Sequence, residues 1–241
     1  MKEALPNSMV KEAIILCGGL GTRLREAVSD LPKSLAPVAG VPFIQHLINE
    51  LLAQGINKFI FAAGHKHELI QKYIATIFPA LQVQFSIEQT ALGTGGAIAF
   101  AARHATTQNV LVVNGDTFYK ANIAAVYDFH YKNDATCTLA LKQMQDFSRF
   151  GSVELNETGR VVVLKEKQFC ESGLVNGGFY ILNIGRFLQE QFPASFSFET
   201  GYLAELLKTQ QLFGLLQDSY FIDIGIPEDL EAAHQHFLKS S

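Results

Sequence analysis

From Ala13 to Lys132 the chain alternates short apolar runs with amphipathic stretches, and this rhythm restricts the fold more than any other feature. Ala13–Leu16 is an apolar run stopped by Gly18-Gly19; Lys58–Ala63 and Val110–Val113 are two more, and Val83–Ile87 alternates. Short continuous apolar runs bounded by turn residues read as strands buried on both faces. Between them, Pro42–Gln54, His67–Phe78, Gly95–Arg103 and Ile123–Lys132 space their apolar residues at helical intervals. Strand, helix, strand, helix in this order predicts parallel strands with helices packed on both faces, an α/β class.

After residue 134 the texture changes. Ala135–Met144, Gly151–Leu155, Val161–Lys165 and Leu174–Leu182 read as strands with few helices between them, expected to widen or cover the sheet in antiparallel fashion. Arg186–Gln191 and Gly201–Thr209 read as helices, and Pro227–Leu238 as a closing helix with proline near its first position. No Ser/Gly linker or repeat divides the halves, so one domain over residues 11–241 is expected, behind an extension of residues 1–10.

Composition serves to exclude. With 241 residues, 48% hydrophobic and 17% charged, the chain has material for an ample core and needs no metal or disulfide staple. Nineteen basic and 23 acidic residues give a net charge of −4, which lacks the basic stripe of a nucleic-acid binder. Cys17, Cys137 and Cys170 stand far apart without a CxxC pair, which speaks against structural zinc and for a reducing cytoplasm. No apolar stretch approaches the roughly 18 residues of a membrane helix, and residues 1–10 lack the apolar segment of a signal peptide. A homo-oligomer stays open.

The chemistry collects at turns. Gly18-Gly19-Leu20-Gly21-Thr22-Arg23-Leu24 follows the first predicted strand directly. Glycines let a backbone turn tightly and aim several N–H groups at one anion, while Thr22 adds a hydroxyl and Arg23 a planar cation. Pro32-Lys33 can return a second cation to the same place. Leu24 stands where a dinucleotide-binding turn needs its third glycine, and Gly21 is followed by Thr22-Arg23 rather than Lys-Ser/Thr, so neither that turn nor a P-loop fits. Asp116 follows an apolar run and Asn114-Gly115; Asp223 follows Tyr220-Phe221-Ile222. Carboxylates at two strand ends suit Mg²⁺, which takes one or two carboxylates plus substrate phosphates. The pairs His65/His67 and His234/His236 are too closely spaced on helices or turns to converge on a metal, and read as structural or solvent-facing. Phe192, Phe196 and Phe198 read first as core.

An ordered set of motifs extends these signals. Besides the glycine turn and Pro32-Lys33 it comprises Leu92-Gly93-Thr94-Gly95-Gly96-Ala97, Asn114-Gly115-Asp116, Phe150-Gly151-Ser152-Val153-Glu154, Glu166-Lys167, Asn176-Gly177-Gly178 and Phe221-Ile222-Asp223-Ile224-Gly225. Together they resemble the sugar-1-phosphate nucleotidylyltransferase family over about residues 11–238. The resemblance implies a Rossmann-like three-layer α/β/α fold with a mixed, mostly parallel central sheet, and transfer of a nucleotidyl group to a sugar 1-phosphate with Mg²⁺. It implies that Gly18, Gly19, Gly21 and Thr22 hold the triphosphate, with Gly93 and Thr94 also on the nucleotide, and that Arg23 and Lys33 neutralise the departing pyrophosphate. Asp116 and Asp223 would hold the metal, Lys167 the sugar phosphate, and Asn114, Gly151, Glu166 and Asn176 the sugar. Glu88 falls where the family reads the base; its two oxygens match the adjacent N1–H and 2-amino donors of guanine, so GTP is the expected donor. A narrower resemblance within the family, carried by Leu31-Pro32-Lys33, Ala36-Pro37-Val38 and Asp223-Ile224-Gly225-Ile226-Pro227-Glu228-Asp229, implies a manno-heptose 1-phosphate as the acceptor. Mannose 1-phosphate with GTP, an amino-sugar 1-phosphate with UTP, and a catalytically silent sensing relative are the alternatives. Cys17 stands where alanine is usual, and Ser34 and Gln168 where proline often follows the lysines; none removes a charge or donor from the chemistry.

Overall fold

The computed structural model describes residues 9–18 and 31–240. In chain order it runs through β1 (Glu12–Leu16), a 3-10 turn (Lys33–Leu35), β2 (Pro37–Val38), β3 (Val41–Pro42), α1 (Phe43–Ala53), β4 (Lys58–Ala63), α2 (His67–Ile77), β5 (Gln82–Ile87), α3 (Gly93–Ala102) and β6 (Asn109–Asn114). There follow β7 (Thr117–Tyr119), α4 (Ile123–Lys132), β8 (Cys137–Phe147), β9 (Ser152–Leu155), β10 (Val161–Leu164), β11 (Cys170–Asn183) and α5 (Ile184–Gln189). A π-helical turn (Phe198–Leu203), α6 (Ala204–Thr209), β12 (Leu212–Leu216), β13 (Phe221–Asp223) and α7 (Pro227–Ser240) complete it.

Nine strands form the central sheet in the order β10-β9-β11-β6-β1-β4-β5, with β8 also paired to β11 and β12 to β8. The ladders β6-β1, β1-β4, β4-β5 and β12-β8 are parallel; β11 runs against β6, β8 and β9, and β10 against β9. The sheet is therefore mixed, and only β11 and β10 oppose the common direction. The chain winds from β1 outward to β4 and β5, then returns to lay β6 on the other side of β1. The reversal opens a crevice at the carboxyl ends of β1 and β6, the place where sheets of this kind take their ligands.

Burial follows the strand period. Ala13 and Ile15 of β1 and Phe59, Phe61 and Ala63 of β4 enter one core under α1, α2 and α4. Their neighbours Ile14, Ile60 and Ala62 enter a second core on the opposite face, with Ile98 of α3, Phe187 of α5 and Leu206 of α6. This two-sided burial is why the runs are apolar without interruption. A smaller third cluster joins Val38, Phe118, Ile222 and Phe237, seating α7 on the hairpin β2-β3 and the ribbon β7-β13.

Three details depart from the sequence expectations. Asp223 does not end a strand of the central sheet; β13 pairs antiparallel with β7 in a separate ribbon, which sets Asp223 opposite Thr117. The expected helix Gly201–Thr209 begins earlier as a π turn and becomes α-helical only from Ala204. Leu212–Leu216 forms a strand that the helix-to-loop texture concealed. Its Gly214 lies where an added Cβ would stand 2.5 Å from Leu141 Cδ1, so β12 packs closely on β8.

Candidate active site

A cleft of about 750 Å³ opens beside the crevice, and most of the expected residues meet there: Lys33, Thr94, Asn114, Asp116, Gly151, Glu166, Lys167, Asn176 and Asp223 all line it. Gly18, Glu88 and Gly93 are not among its described lining residues. Gly19, Gly21, Thr22 and Arg23 lie outside the described residues.

One end of the cleft is acidic. Asp116 comes two residues after β6, and Lys33 from the 3-10 turn reaches its Oδ2 at 3.3 Å. The ribbon register brings Asp223 alongside: Ile224 donates its N–H to the Asp116 carbonyl at 3.0 Å, and Gly225 donates its N–H to Asp223 Oδ1 at 2.7 Å. Burial, then the charge of Asp116, pushes the Asp223 carboxyl above its ordinary range, against the opposing pull of the Gly225 N–H, Arg149 and Lys33. Two carboxylates so close that one disfavours ionisation of the other form a donor set suited to a hard divalent cation. Among the described residues no group of three or more His, Cys, Asp or Glu converges as a metal cage. Phosphate oxygens would have to complete the coordination, as they do where Mg²⁺ bridges protein and substrate.

The opposite wall is polar but less charged. β11 carries it, and its register slips between Asn176 and Tyr180. Upstream of the slip the strand pairs with β9 through Leu174 and Val175; downstream it pairs with β6 from Phe179 onward. Gly178 makes the slip possible: its φ is +64°, and an added Cβ would lie 2.3 Å from Asn114 Nδ2. Asn176 is held in this wall, its Oδ1 accepting from Gly178 N at 3.0 Å and its Nδ2 donating to Tyr180 Oη at 2.9 Å. Glu166 and Lys167 stand exposed on the cleft's lip, where Gly151 packs beneath the Lys165 carbonyl.

Glu88 belongs to a neighbouring arrangement at the carboxyl ends of β1, β4 and β5. Its Oε2 accepts from Leu92 N at 3.2 Å, and its Oε1 faces Gly18 and Gly64, where Cβ atoms would stand 3.2 and 2.8 Å away. Gly93 opens α3 with φ +70°, beneath the Phe196 carbonyl. The histidine pairs have local partners: His67 Nδ1 bonds the Gly64 carbonyl at 2.9 Å, His234 Nδ1 accepts from Ala39 N at 3.0 Å, and His236 stacks on Tyr220. Phe198 is core, while Phe192 and Phe196 stack on each other at its margin.

Three lining residues had no sequence signal strong enough to single them out: Arg149, Tyr180 and Glu199. Arg149 immediately precedes the motif Phe150-Gly151. It donates to Asp229 of α7 at 2.5 Å, and Phe150 packs edge-on against Phe221 of β13. The segment that leads into Gly151 is thus tied to the strand that carries Asp223.

The comparisons with known proteins agree with this geometry. The sequence matches the Nucleotidyl transferase family over residues 12–240. It is 42% identical to the D-glycero-alpha-D-manno-heptose 1-phosphate guanylyltransferase of Aneurinibacillus thermoaerophilus, covering 94% of this chain and 100% of that protein. To the Campylobacter jejuni protein of the same name it is 40% identical, covering 94% and 98%. The crystal structure of HddC from Yersinia pseudotuberculosis complexed with GMP-PN superposes with a TM-score of 0.85 at 31% identity, covering 95% of this chain and all of that one. A cleft beside the topological switch point, a carboxylate pair beside a lysine, and matches that span nearly the whole chain lead to one conclusion: this chain belongs to the nucleotidyl transferase family.

Proposed function

We propose that the protein transfers the guanylyl group of GTP to D-glycero-α-D-manno-heptose 1-phosphate, forming GDP-heptose and releasing pyrophosphate. The observation that carries this reading is near full-length identity of 42% and 40% to two enzymes of that name. The charge layout of the cleft supports it. Asp116 and Asp223 are the proposed holders of Mg²⁺, which when bound would offset the charge of two polyanions brought together. Lys33 and Arg23 draw charge from the departing pyrophosphate, and Lys167 at the lip holds the sugar phosphate. Gly18, Gly19, Gly21 and Thr22 offer backbone and hydroxyl donors to the triphosphate, with Gly93 and Thr94 at the start of α3 beside the nucleotide. Asn114, Gly151, Glu166 and Asn176 shape the acceptor pocket.

A phosphate oxygen of the sugar attacks the α-phosphorus in line as pyrophosphate leaves. Such a step asks a protein for alignment and charge neutralisation, and no side chain need carry a covalent intermediate. Glu88 is the proposed reader of guanine, its carboxylate fixed by the Leu92 N–H. The proposed setting is the cytoplasm, where GTP is made.

The test is Mg²⁺-dependent pyrophosphate release, crossing GTP, UTP, CTP, dTTP and ATP with heptose, mannose, glucose and N-acetylated amino-sugar 1-phosphates. Turnover centred on GTP with the manno-heptose phosphate is expected. Better turnover with another pair overturns the substrate assignment, and silence across the grid overturns the enzymatic reading in favour of a sensing relative.

A further inference from the structure

The connection between β8 and β9 forms part of the cleft without a ladder to hold it. Arg149, Phe150 and Gly151 all line the cavity. Near the end of β8, Asp146 turns the chain with a φ of +47°. None of the backbone hydrogen bonds outside the helices and ladders involves residues 148–151. Without such bonds, a loop is fixed by the packing and pairing of its side chains.

Here two neighbouring side chains reach the same unit. Arg149 Nη2 donates to Asp229 Oδ2 at 2.5 Å, and both side chains are half-buried. Nη1 is buried without a partner, so among the described residues Asp229 takes the only hydrogen bond that the guanidinium makes. Phe150 packs edge-on against Phe221 with ring centroids 5.6 Å apart, and the guanidinium lies 5.5 Å from the Phe150 ring. Phe221 and Asp229 bracket Asp223: one opens β13, which ends at Asp223, and the other sits in the first turn of α7. That unit is itself anchored, through Ile222, Ala233 and Phe237 in the third core cluster. Gly151 then approaches the Lys165 carbonyl so closely that a Cβ would stand 2.6 Å from it. The connection therefore bears on two supports, the strand and helix that flank Asp223 and the lip that carries Glu166 and Lys167.

We propose that Arg149 is a positioning residue whose ion pair with Asp229 is a strut, setting the acceptor segment Phe150-Gly151 against the unit that holds Asp223. This rests on the reading of the cleft given above. In-line attack requires the sugar phosphate oxygen to be aligned on the α-phosphorus, and a misplacement of about 1 Å can cost about 100-fold in rate. Arg149 need touch neither substrate for this. A charge-assisted hydrogen bond fixes direction as well as distance, which the contact of Phe150 with Phe221 alone does not.

The experiment is a double-mutant cycle: Arg149→Met, Asp229→Ala and the two together, assayed by steady-state kinetics on the wild type's preferred nucleotide and sugar phosphate. Thermal melts and calorimetric binding of GTP with Mg²⁺, in the absence of sugar, accompany it. Each single change is expected to lower kcat by about 10- to 100-fold, with both KM values and the affinity for GTP unchanged. The double variant should be no slower than the slower single one, because both changes remove the same strut. Unchanged kcat in both single variants overturns the proposal even where the melting temperature falls, since the pair then serves stability alone. Loss in Arg149→Met without loss in Asp229→Ala also overturns it and assigns the effect to charge beside Asp223. Additive losses, or a raised KM with kcat intact, show Arg149 acting apart from Asp229 and overturn it as well. Wild-type turnover judges the reading of the cleft separately. Silence across the substrate grid brings down that reading and the strut together, whereas an active wild type leaves the cycle to decide the strut alone.

Discussion

Asp116 and Asp223 are two like charges that the fold holds beside each other, and only Lys33 forms an ion pair with either among the described residues. The raised Asp223 carboxyl means that its ionised form is disfavoured in the folded state relative to the unfolded chain. Removing that charge should therefore help the fold while harming the chemistry. Asp223→Asn keeps an oxygen for the Gly225 N–H, so its melting temperature in metal-free buffer is expected to rise while Mg²⁺-dependent pyrophosphate release is lost. A lower melting temperature or retained activity refutes the assignment. At this scale the sequence was informative wherever a residue type carries its own chemistry: Asp116, Asp223 and Lys33 meet as expected. Arg149 and Glu199 stayed hidden because nothing in their neighbours announces a cleft; an ion pair to a helix distant in sequence and a π turn are what place them there.

Among the elements, α4 shows how a buried polar group sets a pH limit. His130 is 2% exposed, with Nδ1 2.9 Å from Thr138 Oγ1 and Nε2 3.2 Å from Asn109 Oδ1. The Asn109 carbonyl takes the Nε2 proton and the threonine hydroxyl donates to Nδ1, an arrangement complete with a neutral ring. Burial, reinforced by Arg186 and partly opposed by Asp134, lowers its pKa from 6.5 to about 4. Because the folded value lies below the unfolded one, the unfolded chain binds more protons in this window. Stability is full above about pH 6.5 and is lost as pH falls toward 4. Denaturant unfolding should show a loss on the order of 2–3 kcal/mol from this group between about pH 7.5 and 4.5. His130→Asn should be less stable at neutral pH but lose less on acidification; an equal slope in both proteins refutes this. The same level shows what periodicity can and cannot tell. β1, β4 and β6 were legible because two-sided burial writes itself as an unbroken apolar run. β7 and β12 were not, since a short strand's partner is chosen by tertiary packing rather than by its own sequence.

Across the whole molecule, β11 does the joining. It enters the sheet beside β9 and leaves it beside β6, changing partners at Asn176–Tyr180. Gly178→Ala places a Cβ against Asn114 at a backbone angle that alanine resists. The expected result is a lower melting temperature with impaired use of both substrates, measured by thermal unfolding and by the KM for GTP and for the sugar phosphate. Wild-type behaviour would show that the slip tolerates a side chain. Single-sequence reading could name the Asn176-Gly177-Gly178 motif but not its meaning, because the meaning is a change of neighbours between the two ends of one strand. That arrangement also bears on how such proteins diversify. Residues ahead of the slip are laddered to β9, while those behind it are laddered to the strand that precedes Asp116. Under the proposed assignment of Asn176 to the sugar and Asp116 to the metal, substitutions in the first stretch would recruit a new sugar while the reacting centre inherits its alignment, so novelty and conservation would be divided along a single strand.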